Sequence, residues 1–191
     1  MQTIRGTLTE RNLLQSFAGE SQARNRYSYF SSQAKKDGYM QIAAVFAETA
    51  EQEKEHAKRF FRFLEGGMLQ IAAEFPAGII GTTAVNLASA AEGEYDEHHR
   101  LYPGFAEVAR QEGFSAIAEV FSAICVSERQ HEKRFRDLLK HVENETVFRR
   151  HNPVIWRCRN CGYIHSGTEA PGSCPACAHE RGYFEVATGE W

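Results

Sequence analysis

The chain repeats itself. Gly38, Ile42, Phe46, Glu53, His56, Phe60 and Leu64 recur as Gly113, Ile117, Phe121, Glu128, His131, Phe135 and Leu139, always 75 residues later. Gly19-Glu20 recurs as Gly93-Glu94, 74 residues later. A duplication of this length confines the chain to two similar halves that share a core. The rhythm inside each half is helical: Phe121, Ile124, Cys125, Glu128 and His131 follow three- and four-residue steps. Turn signals at Asp37-Gly38 and Glu112-Gly113 split each half into a hairpin. Helices are expected over about 9–36, 39–65, 84–111 and 114–143, with Pro103 predicting a kink in the third. Pro76, Gly78 and Gly81 interrupt the stretch between the hairpins and suit a crossover.

Two hairpins joined by a long crossover predict a mainly α chain, a ferritin-like four-helix bundle. Its apolar stripes contain ionisable residues, which cannot enter a core without compensation. Each half offers one Glu on its first helix and Glu-x-x-His on its second: Glu20, Glu53 and His56, then Glu94, Glu128 and His131. This is the inward-facing set by which such bundles hold two iron or manganese ions. Hard carboxylates with one imidazole per metal suit iron, with Glu53 and Glu128 placed to bridge. The halves differ at one place, because Ala23 follows Glu20 by three residues where Glu97 follows Glu94. Glu97 is thus a seventh candidate ligand. Tyr27 and Tyr102 lie about two turns after Glu20 and Glu94, near enough to hydrogen-bond a ligand carboxylate. His98, His99, Glu92 and Asp96 read as surface residues, and Cys125 as core packing.

Beyond Asn152-Pro153 the helical rhythm ends, which divides the chain into domains at 1–150 and 151–191. The strand-like pieces VIWRC and GYFEVA surround Cys158-x-x-Cys161, twelve residues, and Cys174-x-x-Cys177. So short a segment needs a metal to fold. The spacing specifies a tetrathiolate site, and thiolates accept zinc or iron. Gly162-Tyr163 after the first pair and Pro175 inside the second resemble rubredoxin knuckles, which hold one redox-active iron.

With 22 basic and 25 acidic residues and no long run of either sign, nothing indicates nucleic acid. The longest apolar stretches are too short to span a membrane, and the N-terminus has no signal-peptide core. A cytoplasmic location is expected.

GESQARNRY (19–27), EQEKEHAKR (51–59), GEYDE (93–97), SERQHEKRF (127–135), CRNCGY (158–163) and CPAC (174–177) together resemble rubrerythrins over essentially the full length. The resemblance implies a ferritin-like di-iron bundle followed by a small rubredoxin-like β domain. The implied activity is a non-haem peroxidase that reduces hydrogen peroxide to water, a defence against oxidative stress in the cytoplasm of an anaerobe or microaerophile. Its di-iron ligands would be Glu20, Glu53, Glu94, Glu97, Glu128 and His131. His56 would replace Glu97 on one iron upon reduction, making this pair the catalytic exchange. A rubredoxin-type iron on Cys158, Cys161, Cys174 and Cys177 would relay NAD(P)H-derived electrons from a reductase or a rubredoxin. Glu128 precedes the end of its helix by some fifteen residues, so the tail begins roughly 22 Å from the di-iron site at ~1.5 Å rise per residue. That is long for one fast electron step, and it predicts a head-to-tail homodimer in which one chain's tail serves the other's bundle. Two rival classes share parts of the pattern: a cage-forming ferroxidase, and a metal sensor with a structural zinc ribbon.

Overall fold

A computed structural model describes residues 2–187. The helices are α1 (Leu8–Lys36), α2 (Met40–Phe61), α3 (Thr83–Asp96), α4 (Tyr102–Gln111) and α5 (Ser115–Glu143). Helix α1 packs on α2, while α3 and α4 pack on α5. The crossover, 62–82, contains neither helix nor strand. The bundle therefore has the two-hairpin wiring that the duplication requires.

Each hairpin caps the other. Asp37, in the α1–α2 turn, accepts from Thr83 N at 2.9 Å and Thr83 Oγ1 at 2.6 Å, at the start of α3. Glu112, in the α4–α5 turn, accepts from Thr9 N at 2.8 Å, Thr9 Oγ1 at 2.6 Å and Leu8 N at 3.0 Å, at the start of α1. Helix starts leave backbone N–H groups without partners, and an anionic acceptor there also opposes the helix dipole. These contacts hold both carboxyls below their usual range, because the bonds from Thr83 and Thr9 outweigh the upward push of burial.

The third helix of the bundle is broken just ahead of Pro103. It is interrupted by a π-helical turn, Glu97–Leu101, in which Tyr102 N–H donates to Glu97 O, five residues back. Pro103 lies in the first turn of α4, where its missing N–H costs little. The repeat shows why the turn is there. Tyr27 follows Glu20 by seven residues, whereas Tyr102 follows Glu94 by eight. The wide turn absorbs the extra residue and returns Tyr102 to the inward face.

Two apolar clusters fill the bundle. One contains Tyr27, Phe30, Ile42, Phe46 and Phe135, and the other Leu13, Phe60, Tyr102, Ile117 and Phe121. Burying each of these large side chains contributes about 1.5–3 kcal/mol. The ionisable stripe lies among them, so its residues are held by rigid neighbours.

The tail forms an antiparallel sheet of order β2-β1-β3, from β1 (Arg149–Cys158), β2 (Ile164–Glu169) and β3 (Phe184–Val186). VIWRC and GYFEVA fall largely in β1 and β3, and β1 begins ahead of the division expected after residue 150. Strand β2, IHSGTE, has too few large apolar residues to stand out in the sequence. Its register shift against β1 spans Arg149 to Val154, around Pro153. The tail docks on the α1–α2 turn. Val147 joins the bundle core, and Phe148 stacks on Tyr39 with ring centroids 5.9 Å apart. A Cβ at Gly182 would lie 2.3 Å from Gly38 O, so only glycine fits this contact.

Candidate metal centres

Helical spacing brings the six acids and histidines of the repeat together. Glu20, Glu94 and Glu128 are fully buried, Glu53 and His131 almost so. Their ligand atoms form two groups, each within 4.8 Å: Glu20, Glu53, His56 and Glu128, and Glu53, Glu94, Glu128 and His131. His56 Nδ1 lies 2.9 Å from Glu128, 3.0 Å from Glu53 and 3.9 Å from Glu20. His131 Nδ1 lies 2.8 Å from Glu128, 3.1 Å from Glu53 and 3.4 Å from Glu94. Glu53 and Glu128 belong to both groups, the geometry of two bridging carboxylates.

The tyrosines act across the bundle. Tyr27 donates to Glu94, and Tyr102 donates to Glu20 at 2.5 Å, so each hairpin's tyrosine orients the other hairpin's acid. Gln52 Oε1 accepts from His131 Nε2 at 3.0 Å, which leaves Nδ1 facing the group.

The charge pattern tests whether cations fit. Burial, then Glu128 and Glu53, pushes the Glu20 carboxyl well above its ordinary range. Glu94 is pushed up to about 8, first by burial and then by Glu53. Glu53 goes the other way: burial would raise it, but the close imidazoles of His131 and His56 hold it at about 2. Burial would lower both histidines, yet Glu128 and Glu53 raise His56 to about 10 and His131 to about 12. Glu20 Oε2, Glu53 Oε1, Glu94 Oε2, both Glu128 oxygens and His131 Nδ1 have no hydrogen-bond partner. Six buried orphan atoms facing one small space match a pair of divalent cations and no ordinary core.

The cysteines also converge. Cys158 and Cys177 Sγ are 3.8 Å apart, Cys161 and Cys174 Sγ 3.6 Å apart, and all four lie within 4.8 Å. Disulfide sulfurs would be about 2.05 Å apart. A tetrahedron with metal–sulfur bonds of about 2.3 Å has edges near 3.8 Å. The two knuckles close alike, with Gly162 N donating to Cys158 O and Ala178 N to Cys174 O, both at 2.8 Å. Both closing residues are left-handed, Gly162 at φ +81° and Ala178 at φ +61°.

The Rubrerythrin family model matches residues 11–139, and that of the rubrerythrin rubredoxin-like domain matches residues 156–185. The chain belongs to the rubrerythrin family. A rubrerythrin of Nitratidesulfovibrio vulgaris is 56% identical over all of both chains, and one of Porphyromonas gingivalis is 61% identical over 96% of this chain and 92% of its own. A solved nigerythrin in a mixed-valence state is similar at a TM-score of 0.63 and 28% identity, over 97% of this chain and 92% of its own. As a rubrerythrin-family protein, the chain carries a di-iron group of carboxylates and histidines and a four-cysteine iron site.

Glu97 stands apart from the rubrerythrin metal groups. It sits on the π turn, half-buried, with Oε1 facing Gly19. Burial, then Glu94 and Glu128, raises its carboxyl well above the ordinary range. His98 departs from its surface reading: its Nε2 pairs with Glu132 at 2.6 Å, and its side chain is largely covered. His99 is exposed and stacks on Tyr95. Cys125 is core, as its spacing suggests. Sequence reasoning missed Gln52. The repeat carries no signal for it, since the equivalent position is Ser127.

Proposed function

We propose that the protein is a non-haem peroxidase that reduces hydrogen peroxide to water. Glu20, Glu53, Glu94, Glu128 and His131 are its constant iron ligands, and His56 and Glu97 are alternatives on one iron. The observation that carries this reading is the separation of that pair: His56 Nδ1 lies among Glu20, Glu53 and Glu128, while Glu97 faces Gly19. An imidazole and a carboxylate competing for one position suit a cation with two charge states. When bound, the ferrous pair supplies the two electrons that reduction of peroxide consumes.

The side chains hold this arrangement in place. Tyr27 and Tyr102 hold one oxygen each of Glu94 and Glu20, leaving Oε2 of both for the cation. Gln52 fixes the tautomer of His131. Burial and the charges of Glu94 and Glu128 raise the Glu97 carboxyl above its ordinary range, so beside a cation it gains most by taking up the ligand position. Residues 1–150 form the reacting unit and 151–191 the relay, fed by a reductase or rubredoxin. The length of α5 after Glu128 supports a head-to-tail homodimer. No helix among the described residues is long and apolar enough to cross a membrane, and the proposed site of action is the cytoplasm.

Anaerobic stopped-flow mixing of the reduced protein with hydrogen peroxide or oxygen tests the oxidant. Faster oxidation by peroxide is expected, and faster oxidation by oxygen would overturn the reading. Cys174→Ser should bleach the ferric thiolate absorption and stop donor-driven turnover. A single turnover of the chemically prereduced bundle should survive that change.

A further inference from the structure

Beside Glu97 lies a cavity of about 100 Å³, lined among others by Gly19, Arg26, Phe75, Glu97 and Tyr102. Its walls come from α1, from the end of α3, the π turn and α4, and from the crossover, which lays Glu74, Phe75 and Pro76 over it. Two of the lining residues touch the chemistry directly: Tyr102 bonds Glu20, and Glu97 is the proposed alternative ligand.

Gly19 faces this space. A Cβ there would lie 3.8 Å from the Phe75 ring and 3.9 Å from Glu97 Oε1, so alanine would fit and a branched side chain would fill the gap. Arg26 brings the unusual charge. Its Nε and Nη1 are buried and have no hydrogen-bond partner, and it makes no ion pair among the described residues. Leaving guanidinium donors unpaired is costly, so a group of this kind marks a place for an acceptor. Its guanidinium lies 5.7 Å from the Tyr27 ring, which supplies no acceptor atom for Nε or Nη1, and its charge acts on the Glu97 carboxyl.

We propose that this cavity is the entrance by which a small oxidant reaches the Glu97 side of the carboxylate group, with Gly19 and Phe75 setting its size and Arg26 donating hydrogen bonds to its oxygen. The proposal rests on the peroxidase reading for the identity of the oxidant, while the cavity and the unpaired Arg26 donors stand on their own geometry. The volume has room for several water-sized molecules. Phe75 is itself exposed, so it roofs the cavity without being needed for the core.

Two substitutions should act in opposite directions. Gly19→Val narrows the entrance and should raise KM for hydrogen peroxide several-fold with little change in kcat. Phe75→Ala opens the roof and should raise the rate with tert-butyl hydroperoxide relative to hydrogen peroxide. For the donor, the probe is azide, a small linear acceptor, titrated into the iron-loaded oxidised protein and followed by its absorption change. Arg26→Leu should weaken azide binding about 10-fold or more, the loss expected for a charged hydrogen bond, and Arg26→Lys should restore part of it. Iron content and helical circular dichroism of each variant confirm that the fold is intact. If the wild type turns over peroxide while KM and the peroxide preference are unmoved in Gly19→Val and Phe75→Ala, the entrance is elsewhere. If the wild type has no peroxidase turnover, the functional reading fails, and azide alone decides: equal affinity in wild type and Arg26→Leu overturns the cavity proposal as well.

Discussion

The two hairpins of the bundle are built to one plan and differ by one residue of length and one carboxylate. Both supply Glu, Glu and His to the centre. Each lends a tyrosine to the other's acid and a turn carboxylate to the other's first helix. Up to that point, the metal positions are equivalent. The second hairpin then has Glu97 where the first has buried Ala23, and it widens into a π turn directly after α3. Duplication thus provides two like cradles, and a local departure gives one half an additional carboxylate beside them.

The shared plan predicts the largest effect. Glu53→Gln and Glu128→Gln should cost about the same, because each carboxylate reaches both histidines. Each should lower affinity for the metal pair by at least ~100-fold, beyond what loss of a supporting hydrogen bond produces. Metal content after gel filtration measures it. A variant that keeps both irons would show that the halves are not equivalent.

Glu97→Ala erases the difference in composition without touching the shared six. The bundle should fold and bind two metals, with His56 beside Glu20 in both oxidation states. Peroxide turnover should fall by roughly 10–100-fold, in the range of groups that tune a metal from its periphery. Steady-state rates with structures of the oxidised and reduced variant check this, and wild-type turnover would reduce Glu97 to a bystander.

Reciprocal capping should be visible as acid lability. Asp37 and Glu112 are held below their usual values, so their contribution is complete above the unfolded pKa near ~4 and lost as pH falls through the folded value. Replacing both by alanine should cost about 0.5–1 kcal/mol each at neutral pH, with solvent exposure keeping the effect toward the low end. Thermal unfolding of wild type and the double variant should differ at pH 7 and converge as the pH falls through the lowered folded values. A gap that persists in acid would mean that the caps act by shape alone.

The smallest effect concerns the tail, where the paired knuckles also differ. Gly162 and Ala178 occupy the same left-handed position, and the alanine's Cβ is strained there. Ala178→Gly should stabilise the tail by about 1 kcal/mol. Slower loss of metal to a chelator would report it, and faster loss would place the strain elsewhere.

Much of the centre was legible in the sequence because its signals are short-range. Glu-x-x-His fixes two side chains on one helix face, C-x-x-C fixes two sulfurs on one turn, and the repeat doubles both. Glu20, Glu53, His56, Glu94, Glu128, His131 and the four cysteines could be named from spacing, and so could the bundle. The π turn was half legible: the steps of 74 and 75 residues differ, but Pro103 offered a more obvious cause for a break.

What only the tertiary structure decided are the pairings between helices. Tyr27 with Glu94, Tyr102 with Glu20, Gln52 with His131 and Glu112 with Thr9 join residues 67 to 103 positions apart. No local rhythm encodes them, because a side chain's partner across a bundle depends on helix rotation and packing rather than on its neighbours in sequence. The same reason hid Arg26 and the placement of Glu97 beside Gly19: each is an ordinary residue on its own helix and acquires its chemistry only when the crossover and the π turn close around it.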